Sequence, residues 1–187
     1  MTGRFIPPHG GYQTLLSYQK SEIIYDATIY FVKRFYSRGD RTIDQMVQAA
    51  RSGKQNIAEA SMASGTSKET EIKLTNVARA SLEELLVDYR DFLRTRKLEE
   101  WHKGHLFARR LSALNREPDA SYGTFKRGVE NEDPAISANV IIGLIKIATY
   151  LLYRQIQRLE QDFVKEGGLR ERMTRVRLDQ RSKDRSR

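Results

Sequence analysis

Residues 51–93, RSGKQNIAEASMASGTSKETEIKLTNVARASLEELLVDYRDFL, constrain this chain more than any other stretch. Two runs of helical period are joined only by Ser64-Gly65-Thr66-Ser67. So short a connection forces the two helices to lie antiparallel and in contact. The first run is rich in small side chains: Ala49, Ala50, Ser52, Gly53, Ala58, Ala60 and Ser61. Gly53 inside a helix costs roughly 1 kcal/mol against Ala, and tight packing by a neighbouring helix is the natural compensation. The second run repeats Leu74, Val77, Ala78, Ser81, Leu82, Leu85, Tyr89, Phe92 and Leu93 at helical spacing, with charges opposite. It predicts a helix over 67–96, about 45 Å long at 1.5 Å per residue. Gly65 suits a left-handed stop for the first helix. Thr66-x-x-Glu69 has the form of a capping box for the second.

The remaining chain is free to be helical, because prolines occur only at 7, 8, 118 and 134. The spacing predicts helix one over 14–37 and helix two over 42–63, the latter behind a Thr42-x-x-Gln45 cap. Helix four begins at Asp133-Pro134 and stops at Gly167-Gly168. Residues 98–114 read as a separate helix or as a bent extension past Gly104. Residues 115–133 mix charges with Pro118, Gly123 and Gly128, show no period, and read as a loop that is long for a bundle. The fold class that follows is all-α: an up-down antiparallel four-helix bundle over 15–166, with a long connection between helices three and four. An extended arm over 1–14 precedes it, and a basic tail over 167–187 follows, helical in its first half and disordered at its end.

Helix one carries two apolar stripes. Ile24, Ala27, Phe31 and Phe35 form one; Tyr25, Ile29, Val32 and Tyr36 form another, about 100° around the wheel. Helix four repeats the pattern with a stripe from Ile141 to Phe163 and a second through Val140, Leu144, Ile147 and Leu151. A helix of a monomeric bundle needs one buried stripe. The second stripe, Tyr25, Ile29, Val32 and Tyr36, therefore predicts an oligomer interface, unless the arm or an extra helix covers it. The densest apolar run, 140–153, is interrupted by Lys146 and is shorter than the roughly 20 residues that span a bilayer. It reads as a core helix. No apolar segment at the N-terminus resembles a signal peptide. With no cysteine in the chain, a cytoplasmic location away from membranes is the expectation.

Lys and Arg outnumber Asp and Glu by 33 to 24, a net charge of +9. Such an excess favours polyanions, RNA or DNA above all. Lys33, Arg34, Arg38 and Arg41 fall at one end if helices one and two are antiparallel. Arg51 and Lys54 lie one turn apart on helix two. Arg90, Arg94, Arg96 and Lys97 crowd the end of helix three, where the helix dipole favours cations. The tail holds eight Lys/Arg against three Asp/Glu, among them Arg170, Arg172, Arg175 and Arg177. Repeated around an oligomer, these groups form a positive surface that binds phosphate backbones without reading bases. An ordinary solvated face and a solubilising tail are the plain alternative.

Nothing points to chemistry. His102-x-x-His105 spans one helical turn, but no cysteine or HExxH pattern supports a metal, and no cofactor signature occurs. Asn56 and Glu59, with Ser81 and Glu84 on the facing helix, are the best polar constellation. Without a nucleophile, a phosphate loop or a partner histidine, they read as a structural polar seam that fixes helix register.

The strings at 51–59 (RSGKQNIAE) and 78–85 (ARASLEEL) resemble the bacterial four-helix-bundle proteins called 23S rRNA intervening-sequence proteins. The accessory variability determinant of diversity-generating retroelements belongs to the same superfamily. Asn56-Ile57-Ala58-Glu59 match its N-I-A-E-G motif, with Ala60 in place of glycine. Ser81, Glu84 and Leu85 match its G-S-x-x-E-L motif, with Ala80 in place of glycine. Residues 16–20 (LSYQK), 23–28 (IIYDAT), 44–57 and 166–173 are similar to the longer subfamily described as carrying a four-helix-bundle suffix domain. The resemblance implies a homopentamer around a central channel, no enzymatic activity, and binding of RNA or of a partner such as a reverse transcriptase. The expected function is therefore a non-enzymatic ribonucleoprotein accessory factor. The alternative is an oligomeric protein-interaction scaffold with no nucleic-acid role of its own.

Overall fold

The structure, a computed structural model, describes residues 6, 8–117 and 119–185. The start of the expected arm (1–5 and 7), Pro118 and the last two residues of the tail lie outside the described residues. Among the described residues the regular structure is all helical, without strands. A 3-10 turn, Tyr12–Thr14, precedes α1 (Leu16–Phe35), α2 (Arg41–Ala63), α3 (Lys68–Thr95), α4 (Leu106–Leu114), α5 (Tyr122–Val129), α6 (Pro134–Glu166) and α7 (Leu169–Arg185).

Side-chain caps set the starts of α2, α3 and α6, the first two of them one or two residues from where the sequence pattern puts them. Asp40, not Thr42, caps α2: its carboxylate accepts from the Thr42 amide at 2.9 Å. Gly39, at φ +90°, turns the chain so that Asp40 is extended. Ser67, not Thr66, caps α3, accepting from the Thr70 amide at 3.1 Å. The Thr66 hydroxyl instead donates back to the Ala63 carbonyl, closing the turn. Asp133 caps α6 as expected, accepting from the Ala135 amide at 2.8 Å, with Pro134 in the first turn. Gly167, at φ +70°, ends α6.

Gly65 does not stop α2 in a left-handed conformation. It is buried, and its missing side chain admits the N-terminal arm: a Cβ there would lie 2.7 Å from His9 Nδ1 and 3.0 Å from Ile6 Cγ2. The Gly10 amide donates to the Ser61 carbonyl at 3.1 Å, so the arm is tied to the end of α2.

The core forms where α3 packs against α2 and α6, and α1 against α2 and α6. Gly53 is the closest point of the α2–α3 contact. Leu82, fully buried, fills the space its side chain would need; a Cβ would lie 2.6 Å from Leu82 Cδ2 and 2.8 Å from its Cγ. Toward the C-terminal ends of α1 and α3, Phe31 gathers an aromatic cluster. Its ring centroid is 4.9 Å from Tyr89, 4.7 Å from Phe92 and 5.0 Å from Phe35. The Tyr89 hydroxyl donates to Thr28 Oγ1 at 3.1 Å, and Thr28 donates to the Ile24 carbonyl at 2.8 Å. Burial raises the Tyr89 phenol well above its usual range, so it remains a donor.

Residues 115–133 are not all loop. They contain α5, which packs on α1 and α6 with Phe125 and Val129 buried. The Ser121 amide donates to Thr124 Oγ1 at 3.2 Å at its start. The Lys20 ammonium, buried and without a hydrogen-bond partner, sits 5.0 Å from the Phe125 ring centroid. Residues 98–105 are non-helical, and α4 is a separate helix beyond them. In the tail, α7 runs from Leu169 to Arg185, past the first half that the sequence pattern gives to helix.

Contacts from α2 and α3 also engage the second stripe of α1: Lys54 lies over the Tyr25 ring, and Phe92 meets Tyr36. Val32 is 2% exposed, and Tyr25 and Tyr36 pack against the core. These three residues are thus used within the chain's own core, and Ile29 is half-buried. The segment Pro134–Asp184 holds a stretch apolar enough to cross a membrane by length and composition, and 61% of that stretch is buried inside the protein.

The Gly53 contact has a measurable consequence. In an ordinary helix interior Gly→Ala stabilises by about 1 kcal/mol. Here Gly53→Ala overpacks against Leu82, which has no room to swing, and overpacking costs about 1–3 kcal/mol. Denaturant unfolding is expected to show a net loss of stability for Gly53→Ala; a gain would show that the helices are not in such contact.

Candidate nucleic-acid interface

Four of the cations singled out from sequence lie on one continuous corner. Lys33 and Arg34 occupy the last turn of α1, Arg38 the connection, and Arg41 the first position of α2; all four are exposed. None forms a salt bridge among the described residues. The end of α3 joins this corner because Tyr36 and Phe92 meet, with ring centroids 5.5 Å apart. Arg96 lies across both rings, 3.8 Å from the Phe92 centroid and 5.3 Å from that of Tyr36. Its guanidinium is thereby positioned beside the α1–α2 turn. Burial pushes the Tyr36 phenol up to about 12 despite the pull of Arg96. Hydrogen bonds at Thr42 hold the Asp40 carboxyl below the usual range, with Arg96 adding to them. Arg94 instead pairs with Asp91 at 2.8 Å.

The other predicted cations are elsewhere. Arg51 is exposed about 15 Å further along α2, at 1.5 Å per residue. Lys54 is half-buried, its ammonium 4.6 Å above the Tyr25 ring, and so turns toward α1. Arg170, Arg172, Arg175 and Arg177 are on α7. Arg170 and Arg177 are exposed, Arg172 is half-buried, and Arg175 donates to the Glu166 carbonyl. The ten residues thus form three groups, not one surface.

The polar seam is also only partly assembled. Ser52 Oγ and Ser81 Oγ are 2.9 Å apart across the α2–α3 contact. Asn56 Nδ2 donates to the Ser52 carbonyl at 2.9 Å and to Ser52 Oγ at 3.2 Å. Glu59 and Glu84 are exposed and make no hydrogen bond or salt bridge among the described residues. Ser52 was missed; its position four residues before Asn56, on the same helix face, was the available signal.

Beyond α3, Glu100 accepts from Arg90 at 3.1 Å and Lys146 at 2.7 Å, linking α3 to α6. Burial would raise its carboxyl, but hydrogen bonds and charge from Lys146 and Arg90 outweigh that and hold it below the usual range. Stability from this bridge is therefore present at neutral pH and is lost as pH falls through the lowered value. His102 Nδ1 accepts from the Gly104 amide, and His105 stacks on Trp101. Among the described residues no group of three or more His, Cys, Asp or Glu could hold a metal.

The seam geometry separates its members. A double-mutant cycle of Ser52→Ala and Ser81→Ala is expected to show a coupling of about 1 kcal/mol. Glu59→Gln and Glu84→Gln, both at exposed positions, are expected within about 0.5 kcal/mol of the parent. Equal, large losses for all four would place the glutamates in the seam.

Comparison with protein-family models, curated proteins and solved structures returns no match to this chain.

Proposed function

We propose that this chain is a non-enzymatic helical-bundle accessory protein that binds nucleic-acid backbones, RNA foremost, through the corner formed by Lys33, Arg34, Arg38, Arg41 and Arg96. The observation that carries this reading is the exposure of the first four cations, unpaired among the described residues, with Arg96 held beside them on two aromatic rings. Charges left free of internal partners release counterions from a phosphate backbone at little cost, and they read shape rather than bases. The net charge of +9 acts in the same direction.

Within this reading, α1, α2, α3 and α6 are the four long helices of an up-down bundle. The resemblance of the strings at 51–59 and 78–85 supports a reading of the chain as an intervening-sequence-type protein, acting in the cytoplasm as a homopentamer. The exposed apolar side chains best placed to join copies are Val77 and Val87 on α3 and Tyr150 and Tyr153 on α6, rather than the tyrosines of α1. The scaffold reading rests on Leu106 and Phe107, exposed on α4, as a contact for a protein partner such as a reverse transcriptase.

Gel-shift titrations with a structured RNA at several salt concentrations test the proposal. The triple variant Arg34→Ala, Arg38→Ala, Arg41→Ala is expected to bind at least tenfold more weakly. Its slope of log affinity against log salt should fall by about three, near one per phosphate contact removed. No binding of the parent at low salt, or an unchanged slope in the variant, refutes the assignment. Light scattering checks assembly: five protomers are expected, and a monomer at micromolar concentration excludes the pentamer.

A further inference from the structure

A cleft of about 850 Å³ opens between the 98–105 connection, α4 and the first half of α6. Its walls are rigidly held. Asn139 is almost fully buried; its Oδ1 accepts from the Trp101 amide at 2.7 Å, and its Nδ2 donates to the Glu99 carbonyl at 2.8 Å and the Ala135 carbonyl at 2.9 Å. This clamp fixes the backbone at Trp101. On the other side, Leu111 of α4 occupies the space that a side chain at Gly143 would need, so α4 sits close against α6.

The lining has two characters. Ile142 and Ile147 supply an apolar floor, and Trp101, stacked against His105 with centroids 4.9 Å apart, supplies an aromatic wall. Lys103, Arg109 and Arg116 stand on the rim, exposed, and make no salt bridge or side-chain hydrogen bond among the described residues. The one lining carboxylate, Glu100, is already shared by Lys146 and Arg90. The rim therefore keeps an excess of positive charge.

A ligand that satisfies both halves must join a flat, weakly polar body to an anionic group. A free phosphate leaves the apolar floor uncovered, and a purely apolar ligand leaves three cations unused. We propose that the cleft takes an unpaired nucleotide of a single strand, its base against the floor and the Trp101 side and its phosphates on Lys103, Arg109 and Arg116. Combined cationic tracking and base–aromatic contact is the usual physics of single-strand binding, and pockets of this size class hold such groups. This deepens the nucleic-acid reading above and rests on it, with a separate set of cations.

Trp101 is the chain's single tryptophan, so its fluorescence reports on the cleft alone. The full chain is titrated with a six-nucleotide oligoadenylate, with inorganic pyrophosphate and with polyglutamate. Oligoadenylate is expected to quench Trp101 and to bind at least tenfold more weakly to Arg109→Ala, Arg116→Ala, a variant of two exposed side chains that keeps its helical circular dichroism. That variant should still shift structured RNA, and the Arg34, Arg38, Arg41 triple variant should still show the Trp101 quench. Oligoadenylate binding without a Trp101 change, or unaffected by the double variant, overturns the cleft while leaving the backbone reading intact. Pyrophosphate or polyglutamate binding as tightly as oligoadenylate also overturns it. Failure of every nucleic acid to bind removes both proposals.

Discussion

Leu82 occupies the volume that a side chain at position 53 would fill, and much of the molecule is set by that contact. It brings α2 and α3 closer than ordinary side chains permit, and it fixes their register so that Ser52 meets Ser81. With that register set, the C-terminal half of α3 presents Tyr89 and Phe92 to Phe31 of α1, and the aromatic cluster follows. The same cluster carries Tyr36 and Arg96 to the corner where Lys33, Arg34, Arg38 and Arg41 stand. A packing contact near the middle of one hairpin thereby positions charges at its end.

The helices themselves were legible, because apolar period and proline placement are direct consequences of burial and backbone geometry. Their edges were less so, for a local reason. Asp40 and Thr42, or Thr66 and Ser67, are equally able to cap; which one does depends on where Gly39 turns the chain and where the Thr66 hydroxyl finds an acceptor. Gly65 shows the same ambiguity in another form. A glycine after a helix serves either a left-handed residue or a close approach, and here the close approach, by His9 and Ile6, is made by residues far away in sequence. The short helix α5 was hidden by its glycines and charges, although Phe125 and Val129 lie one turn apart and both are buried.

The candidate sites were legible as residue types but not as groupings. Asn56 and Ser81 are joined through Ser52, whereas Glu59 and Glu84 face solvent, and a helical wheel does not distinguish these cases. Likewise Lys54 and Arg51, one turn apart, part company because only Lys54 reaches an aromatic ring. The second stripe of α1 reads as surplus on a helical wheel, which does not show that Lys54 reaches the Tyr25 ring and that Phe92 meets Tyr36. What sequence could not supply was the partition of the cations into a corner, a tail helix and a cleft rim, since that depends on how the helices meet.

On the proposed reading, function resides at the exposed charged corner and cleft rather than in the seam that organises the fold. Ultraviolet cross-linking of the full chain to a structured RNA with unpaired segments, followed by mass-spectrometric mapping, tests this directly. Cross-links are predicted to concentrate in residues 33–41 and 96–116 and to be sparse in the turn at 64–67. Cross-links centred on that turn, or spread evenly over the chain, would contradict it.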